Sequence, residues 1–245
     1  MANAGFFETV TADRLMDARY FSPAVFEFLR QERLLLDAIA GQCTVMVEVG
    51  CHDGRYLAWA VERGMAYLGV DVAARHLLAG RARAKEMGLD GGRYRFVLGD
   101  ARDLVALERQ GTLPTQAERA LLLFPFGLFG ALDGVDGVIE GLAQLGQPFV
   151  ISMYQTNAET TNARRDYYGR CGIHELASID DEGVRISSSR GFESVAYDPH
   201  RLLARFRSKG LRAVTIAWSA MNLALVSRGL EGAIPRTCGA QLLDR

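Results

Sequence analysis

The sequence predicts an α/β fold: a doubly wound sheet, mostly parallel, with helices on both faces and a C-terminal antiparallel hairpin. Two observations predict it. Short apolar strands alternate with helical segments over residues 44–153, and such alternation builds right-handed βαβ crossovers around a parallel sheet. Residues 212–217 and 222–227 are two further apolar runs joined by a connector too short for a parallel crossover, so they must pair antiparallel.

Taken in order, residues 11–40 read as one or two helices. Ser22 before Pro23 is a helix start, because the hydroxyl caps a free N–H and proline at the first position has none to satisfy. Val25, Phe26, Leu29, Leu34, Leu36 and Ile39 follow at helical spacing. Residues 44–49, ended by Gly50, form the first strand; a short, mainly apolar run marks a strand buried on both faces. Helix 56–63, strand 66–72, helix 73–87 and strand 94–98 come next. Helix 100–109, strand 121–124, helix 132–145 and strand 149–153 complete the alternation. Residues 154–197 are too long for a plain connection and read as an insertion. It carries a helix over 159–170 and a hairpin of 184–188 with 192–197. Asp198 then caps a final helix, with Pro199 at its first position and Gly210 beyond its end. The chain is expected to be one domain. Its parts are an N-terminal helical lid (1–43), a ligand-binding half (44–153), the inserted cap (154–197), the final helix and hairpin (198–228) and a tail (229–245).

Composition narrows the partners. Of 245 residues, 49% are hydrophobic, enough for a sizeable core. With 28 basic and 29 acidic residues, a generally basic nucleic-acid binder is not expected. Arg201, Arg205, Arg207, Lys209 and Arg212 read as a solvated helix face, without the interleaved aromatics of a nucleic-acid platform. The longest apolar run, residues 120–132, is too short to cross a membrane, and the first twenty residues carry Glu8, Asp13 and Asp17 rather than a secretory core. Cys43, Cys51, Cys171 and Cys238 have no zinc-like spacing, so no metal is expected, and isolated thiols suggest a reducing cytoplasm. A homodimer stays open.

The chemistry gathers at strand ends. The first strand runs into Glu48-Val49-Gly50-Cys51-His52-Asp53-Gly54. Gly50 permits a sharp turn, Gly54 close helix packing, and the following helix start offers free N–H groups to a ligand. The same glycines also suit a plain tight turn. Asp71 ends the second strand and suits the two hydroxyls of a ribose; Asp100 ends the third and suits an adenine amino group. Either aspartate alone also suits a helix N-cap. Together, three such ends on consecutive βα units form a specific pattern.

With these residues the chain resembles the class I, Rossmann-like methyltransferases that use S-adenosylmethionine (SAM) over residues 44–226, including the terminal antiparallel hairpin. The resemblance implies SAM as cofactor, with Gly50, Cys51, Asp53 and Gly54 near its methionine part. It implies Asp71 with Val72 on the ribose, Asp100 with Ala101 on the adenine, and Glu48 orienting the loop or the amino group. His52 stands where the family commonly has glycine. Phe124-Pro125-Phe126-Gly127 occupies the position facing the methyl group, without the polar first residue that grips a base amino group. Phe124 and Phe126 are therefore expected as pocket walls or near the sulfonium. Tyr20, in the lid, is expected to close over SAM.

A small-molecule acceptor is expected above this edge, oriented from the insertion by Tyr154, Asn157, Tyr168 and His174, with His174 a candidate general base. The expected reaction is methyl transfer. Two alternatives stay open: attack on the aminobutyrate part of SAM with release of methylthioadenosine, or SAM binding without turnover.

Overall fold

A computed structural model describes residues 2–114, 118–234 and 241–242. Eight strands form one sheet in the order β11-β9-β10-β5-β4-β1-β2-β3. Strands β1 (Val45–Val49), β2 (Ala66–Asp71), β3 (Tyr94–Leu98), β4 (Ala120–Phe124) and β5 (Phe149–Tyr154) are parallel to their neighbours among these five. Strands β9 (Ala213–Ala217) and β10 (Asn222–Ser227) close the other end antiparallel, and β11 (Gln241–Leu242) pairs with β9. The expected hairpin is therefore present. Cys238 lies outside the described residues.

Side chains alternate across the sheet and build a core on each face. Val47, Val49, Leu68, Val70, Leu122 and Ile151 face α6 (Leu104–Arg109), α7 (Val135–Leu145) and α9 (Pro199–Ser208). Met46, Tyr67, Leu121, Leu123 and Val150 face α3 (Pro23–Ile39), α4 (Leu57–Glu62) and α5 (Ala74–Glu86). From β1 the chain winds outward to β3, then returns to β4 on the other side of β1. Such a reversal leaves a crevice at the carboxyl ends of the strands. No helix among the described residues is long and apolar enough to cross a membrane.

Four sequence expectations shift. In α3 the buried stripe is Val25, Phe28, Glu32, Leu35, Leu36 and Ile39, whereas Phe26 and Leu34 are exposed. The N-terminal region is broken into α1 (Ala2–Phe7), α2 (Val10–Asp13) and two 3-10 turns before α3 begins, with the Ser22 side chain accepting from the Val25 N–H as expected. The helix expected over 132–145 starts only at Val135, because Gly134 takes a left-handed conformation (φ +68°) and breaks the preceding turn. The insertion holds α8 (Ala158–Arg170) and a separate sheet of three antiparallel strands, β6 (Glu175–Asp180), β7 (Gly183–Ser188) and β8 (Glu193–Tyr197). Its first strand is polar and was not legible as one.

Candidate functional site

The crevice opens into a cleft lined by residues from the sheet edge, the N-terminal helices and the insertion. The ends of β1, β2 and β3 contribute Gly50, His52, Asp71, Val72, Asp100 and Ala101. The N-terminal helices contribute Phe7, Leu15 and Met16; the insertion and β5 contribute Tyr154, Tyr167, Tyr168, Phe192 and Ser194. Phe126 lines the cleft from the turn after β4. One wall is thus built of backbone and carboxylates, another almost entirely of aromatic rings.

Asp71 is nearly buried at the end of β2. Its Oδ2 accepts from the His52 N–H at 2.8 Å and its Oδ1 from the Ala73 N–H at 2.9 Å. Burial works to raise its pKa, but the bonds from His76 and the two backbone amides outweigh it and hold the carboxyl below its ordinary value. It is therefore an anion with one acceptor position, on Oδ2, left for an outside donor. Asp100 is more engaged: Oδ1 accepts from the Arg102 N–H and Nε, and Oδ2 from Nη2 at 2.6 Å. Of its four acceptor positions one, on Oδ2, is left for an outside donor. The Ala101 N–H beside it is the first of a 3-10 turn and has no partner within that turn.

His52 adds a second layer. Its ring stacks on His76, centroids 3.9 Å apart. His52 Nδ1 meets Asp53 Oδ1 at 3.2 Å, and His76 Nδ1 lies 3.5 Å from Asp71 Oδ1. The other His76 nitrogen bonds Asp13 of α2 at 2.9 Å, while Arg75 grips Asp13 Oδ1 at 2.7 Å and the Phe7 carbonyl at 3.0 Å. Two residues of α5 thus tie the N-terminal helices to the end of β2.

The turns carrying the cleft are held from behind. Gly50 has φ +65°, and a Cβ there would come within 2.6 Å of Leu128. His52 (φ 52°) and Phe126 (φ 48°) occupy the same left-handed region, unusual for side chains of this size. Glu32, fully buried on α3, accepts from the Phe126 N–H at 2.7 Å and from the Tyr56 hydroxyl. Glu48 Oε2 accepts from the Tyr56 N–H at 3.0 Å and the Tyr67 hydroxyl at 2.6 Å. Burial pushes the Glu48 carboxyl up to about 8, against the bonds from Tyr67 and Tyr56.

Several expected contacts therefore fall elsewhere. Gly50, Asp71, Val72, Asp100, Ala101, Phe126, Tyr154 and Tyr168 line the cleft. Glu48 does not: it faces the α4 side of the sheet and orients the loop. Cys51 is fully buried, its Sγ against the bare backbone of Gly69. Gly54 packs its backbone against the Phe96 ring, the helix-packing role rather than a ligand contact. Asp53 pairs with His52 at the rim. Phe124 is fully buried edge-on against Phe129, because alternation along β4 turns it into the core. Tyr20 lies beneath the Arg14 guanidinium, 5.6 Å from it, and the lid reaches the cleft through Phe7, Leu15 and Met16 instead. Asn157 caps α8, accepting from the Thr160 N–H and donating to the Ala220 carbonyl, both at 2.8 Å, so its polar atoms are committed. His174 is exposed and borders a separate small cleft with Phe6, Thr11 and Arg190. Sequence reasoning missed Glu32 and Ser194; the first was signalled by a carboxylate in the apolar stripe of α3.

No protein-family model matches the chain, and no curated protein matches it. Solved structures do. The PH0226 protein of Pyrococcus horikoshii superposes with a TM-score of 0.60 at 12% identity, covering 85% of this chain and 92% of that one. A SAM-dependent methyltransferase of Aquifex aeolicus gives 0.53 at 12% identity, over 84% and 93%. The 1,6-didemethyltoxoflavin-N1-methyltransferase of Burkholderia thailandensis, solved with its substrate and S-adenosylhomocysteine, gives 0.53 at 15% identity, over 79% and 77%. The fold is that of the class I SAM-dependent methyltransferases. In this methyltransferase fold, the cleft just described lies at the carboxyl edge of the sheet, across the switch between β1 and β4.

Proposed function

We propose that the chain binds SAM at the ends of β1–β3 and transfers its methyl group to a small molecule held among the aromatic side chains. The observation that carries this reading is the buried Asp71 carboxylate, with acceptor capacity to spare, opening on the same cleft as that aromatic wall. The remaining Asp71 Oδ2 position suits a ribose hydroxyl, the Ala101 N–H and the remaining Asp100 position suit the edge of an adenine, and the bare Gly50 lets a ligand approach the backbone.

SAM supplies an electrophilic methyl on a positive sulfonium. The chain's own part is alignment and exclusion of water, and orientation alone lowers such a barrier by several kcal/mol. Phe126, Tyr154, Tyr167 and Tyr168 form an apolar wall for that purpose. Among the described residues, the N-terminal helices and the insertion supply neither a carboxylate nor an imidazole to the cleft lining. The proposed acceptor is therefore one that is nucleophilic as bound and needs no general base from this cap. The two walls of the cleft, one of strand-end backbone and carboxylates and one of aromatic rings, support a donor and a small flat acceptor side by side. The 1,6-didemethyltoxoflavin-N1-methyltransferase, which binds 1,6-didemethyltoxoflavin, is a neighbour in keeping with that choice.

Calorimetric titration with S-adenosylhomocysteine tests the donor half. One-to-one binding that raises Tm is expected; no heat and no change in Tm would overturn the assignment.

A further inference from the structure

Arg164, on α8, is among the largest fully buried side chains of the described residues. Its Nη1 donates to the Val184 carbonyl at 3.1 Å, and its Nη2 to the Ser194 carbonyl at 2.7 Å and to Ser194 Oγ at 3.1 Å. Its Nε is buried with no partner. The guanidinium lies 5.1 Å from the centre of the Tyr154 ring and 6.0 Å from that of Tyr168. Among the described residues no carboxylate oxygen lies within 4 Å of it, so its charge is met only by neutral dipoles and ring faces. A buried charge without a counter-ion is costly, and the cost falls when an anion is brought close.

The hydroxyls beside it have a direction. Tyr154 is buried, and burial pushes its phenol far above the usual range and keeps it protonated. Tyr168 donates to Ser194 Oγ at 3.0 Å. Ser194 Oγ thus accepts from both Tyr168 and Arg164, which fills its two lone pairs. Its own hydrogen has no acceptor in this chain of bonds. Ser194 is buried, yet it lines the cleft together with Tyr154 and Tyr168.

We infer that the Ser194 hydroxyl, backed by the uncompensated Arg164 guanidinium, is a donor site for a negatively charged oxygen on the acceptor: a phenolate, enolate or carboxylate carried by a flat, apolar frame. This deepens the reading above and rests on the acceptor lying in the aromatic part of the cleft. Hydrogen bonds to charged groups are stronger than neutral ones, and a cation behind the donor favours the ionised form. The aromatic walls supply the complementary surface for the frame. Such a site also answers the missing base, since an acceptor held as its anion needs none.

The probes are 4-nitrophenol, whose anion absorbs in the visible, and its neutral ether 4-nitroanisole. Each is titrated into the S-adenosylhomocysteine-treated protein. The anion is expected to bind at least tenfold more tightly than the ether, and bound nitrophenol to ionise at lower pH than free nitrophenol. The second readout needs no variant. Ser194→Ala, which keeps the carbonyl that Arg164 grips, is expected to remove most of the preference. Equal binding of the two probes, binding of neither, or an unaltered preference in Ser194→Ala overturns the inference. S-adenosylhomocysteine affinity, measured separately, distinguishes the two readings. If it fails to bind while the anion still depends on Ser194, the donor assignment falls and the oxyanion site stands.

Discussion

Asp71→Asn separates ligand binding from loop support. Asp71 is 8% exposed and accepts two backbone N–H groups, one on each carboxylate oxygen, at 2.8 and 2.9 Å. Asparagine keeps one acceptor oxygen and replaces the other by an NH₂ group. One amide, His52 or Ala73, then faces a donor, and leaving a buried amide unsatisfied costs about 1–3 kcal/mol. At roughly 2–4 °C per kcal/mol for a domain of this size, Tm should fall by about 2–12 °C. A ribose hydroxyl would lose its charge-assisted hydrogen bond, a loss of about 1.5–3 kcal/mol, or roughly tenfold to a hundredfold in Kd. Thermal melting and calorimetric titration with S-adenosylhomocysteine are run on the same folded samples. A lowered Tm with unchanged affinity would refute the ribose assignment and leave Asp71 as an anchor of the glycine loop.

Three further outcomes are expected. Glu48, with its carboxyl raised to about 8, favours the fold as a neutral acid; that contribution is complete below pH 4.5 and is lost as pH rises to about 8. Glu48→Gln should therefore gain stability relative to the native chain over that window, measured by urea melts across pH, and a constant difference would contradict the buried-acid account. For His76, burial works against the charge, but the bonds to Asp71 and Asp13 outweigh it and raise the pKa above 6.5. Its contribution is present below pH 6.5 and lost as pH rises through the folded value, so the stability deficit of His76→Ala should be largest at low pH and narrow on raising it. Gly130→Ala should cost about 1–3 kcal/mol or more by overpacking, because the added Cβ would sit 2.0 Å from the Val195 carbonyl of β8; an unchanged urea midpoint would contradict the tight docking of β8 on this turn.

The central strands were legible because β1, β4 and β5 are buried on both faces and read as mainly apolar runs. Asp71 and Asp100 were legible because strand ends in such a sheet point to one edge. Cys51 and Phe124 sit in the same motifs, yet packing turns them away: Cys51 against Gly69, Phe124 against Phe129. Asn157 and His174 looked equally polar in sequence. Only the structure reveals that the first is committed as a cap and that the second lies on another surface. The lid contacts of Phe7, Leu15 and Met16 come from tertiary closure, which no local pattern encodes. Ser194 was hidden because β8 serves two cores: Val195 and Tyr197 join the sheet, while Ser194 faces Arg164 and the cleft.

The most direct measurement is product analysis with SAM labelled at the methyl carbon, using the small-molecule fraction of a cell extract as acceptor pool. Proposed methyl transfer predicts S-adenosylhomocysteine together with a labelled product of low molecular mass, formed in equal amounts. Methylthioadenosine, label in macromolecules supplied in a parallel incubation, or SAM recovered unchanged would contradict it.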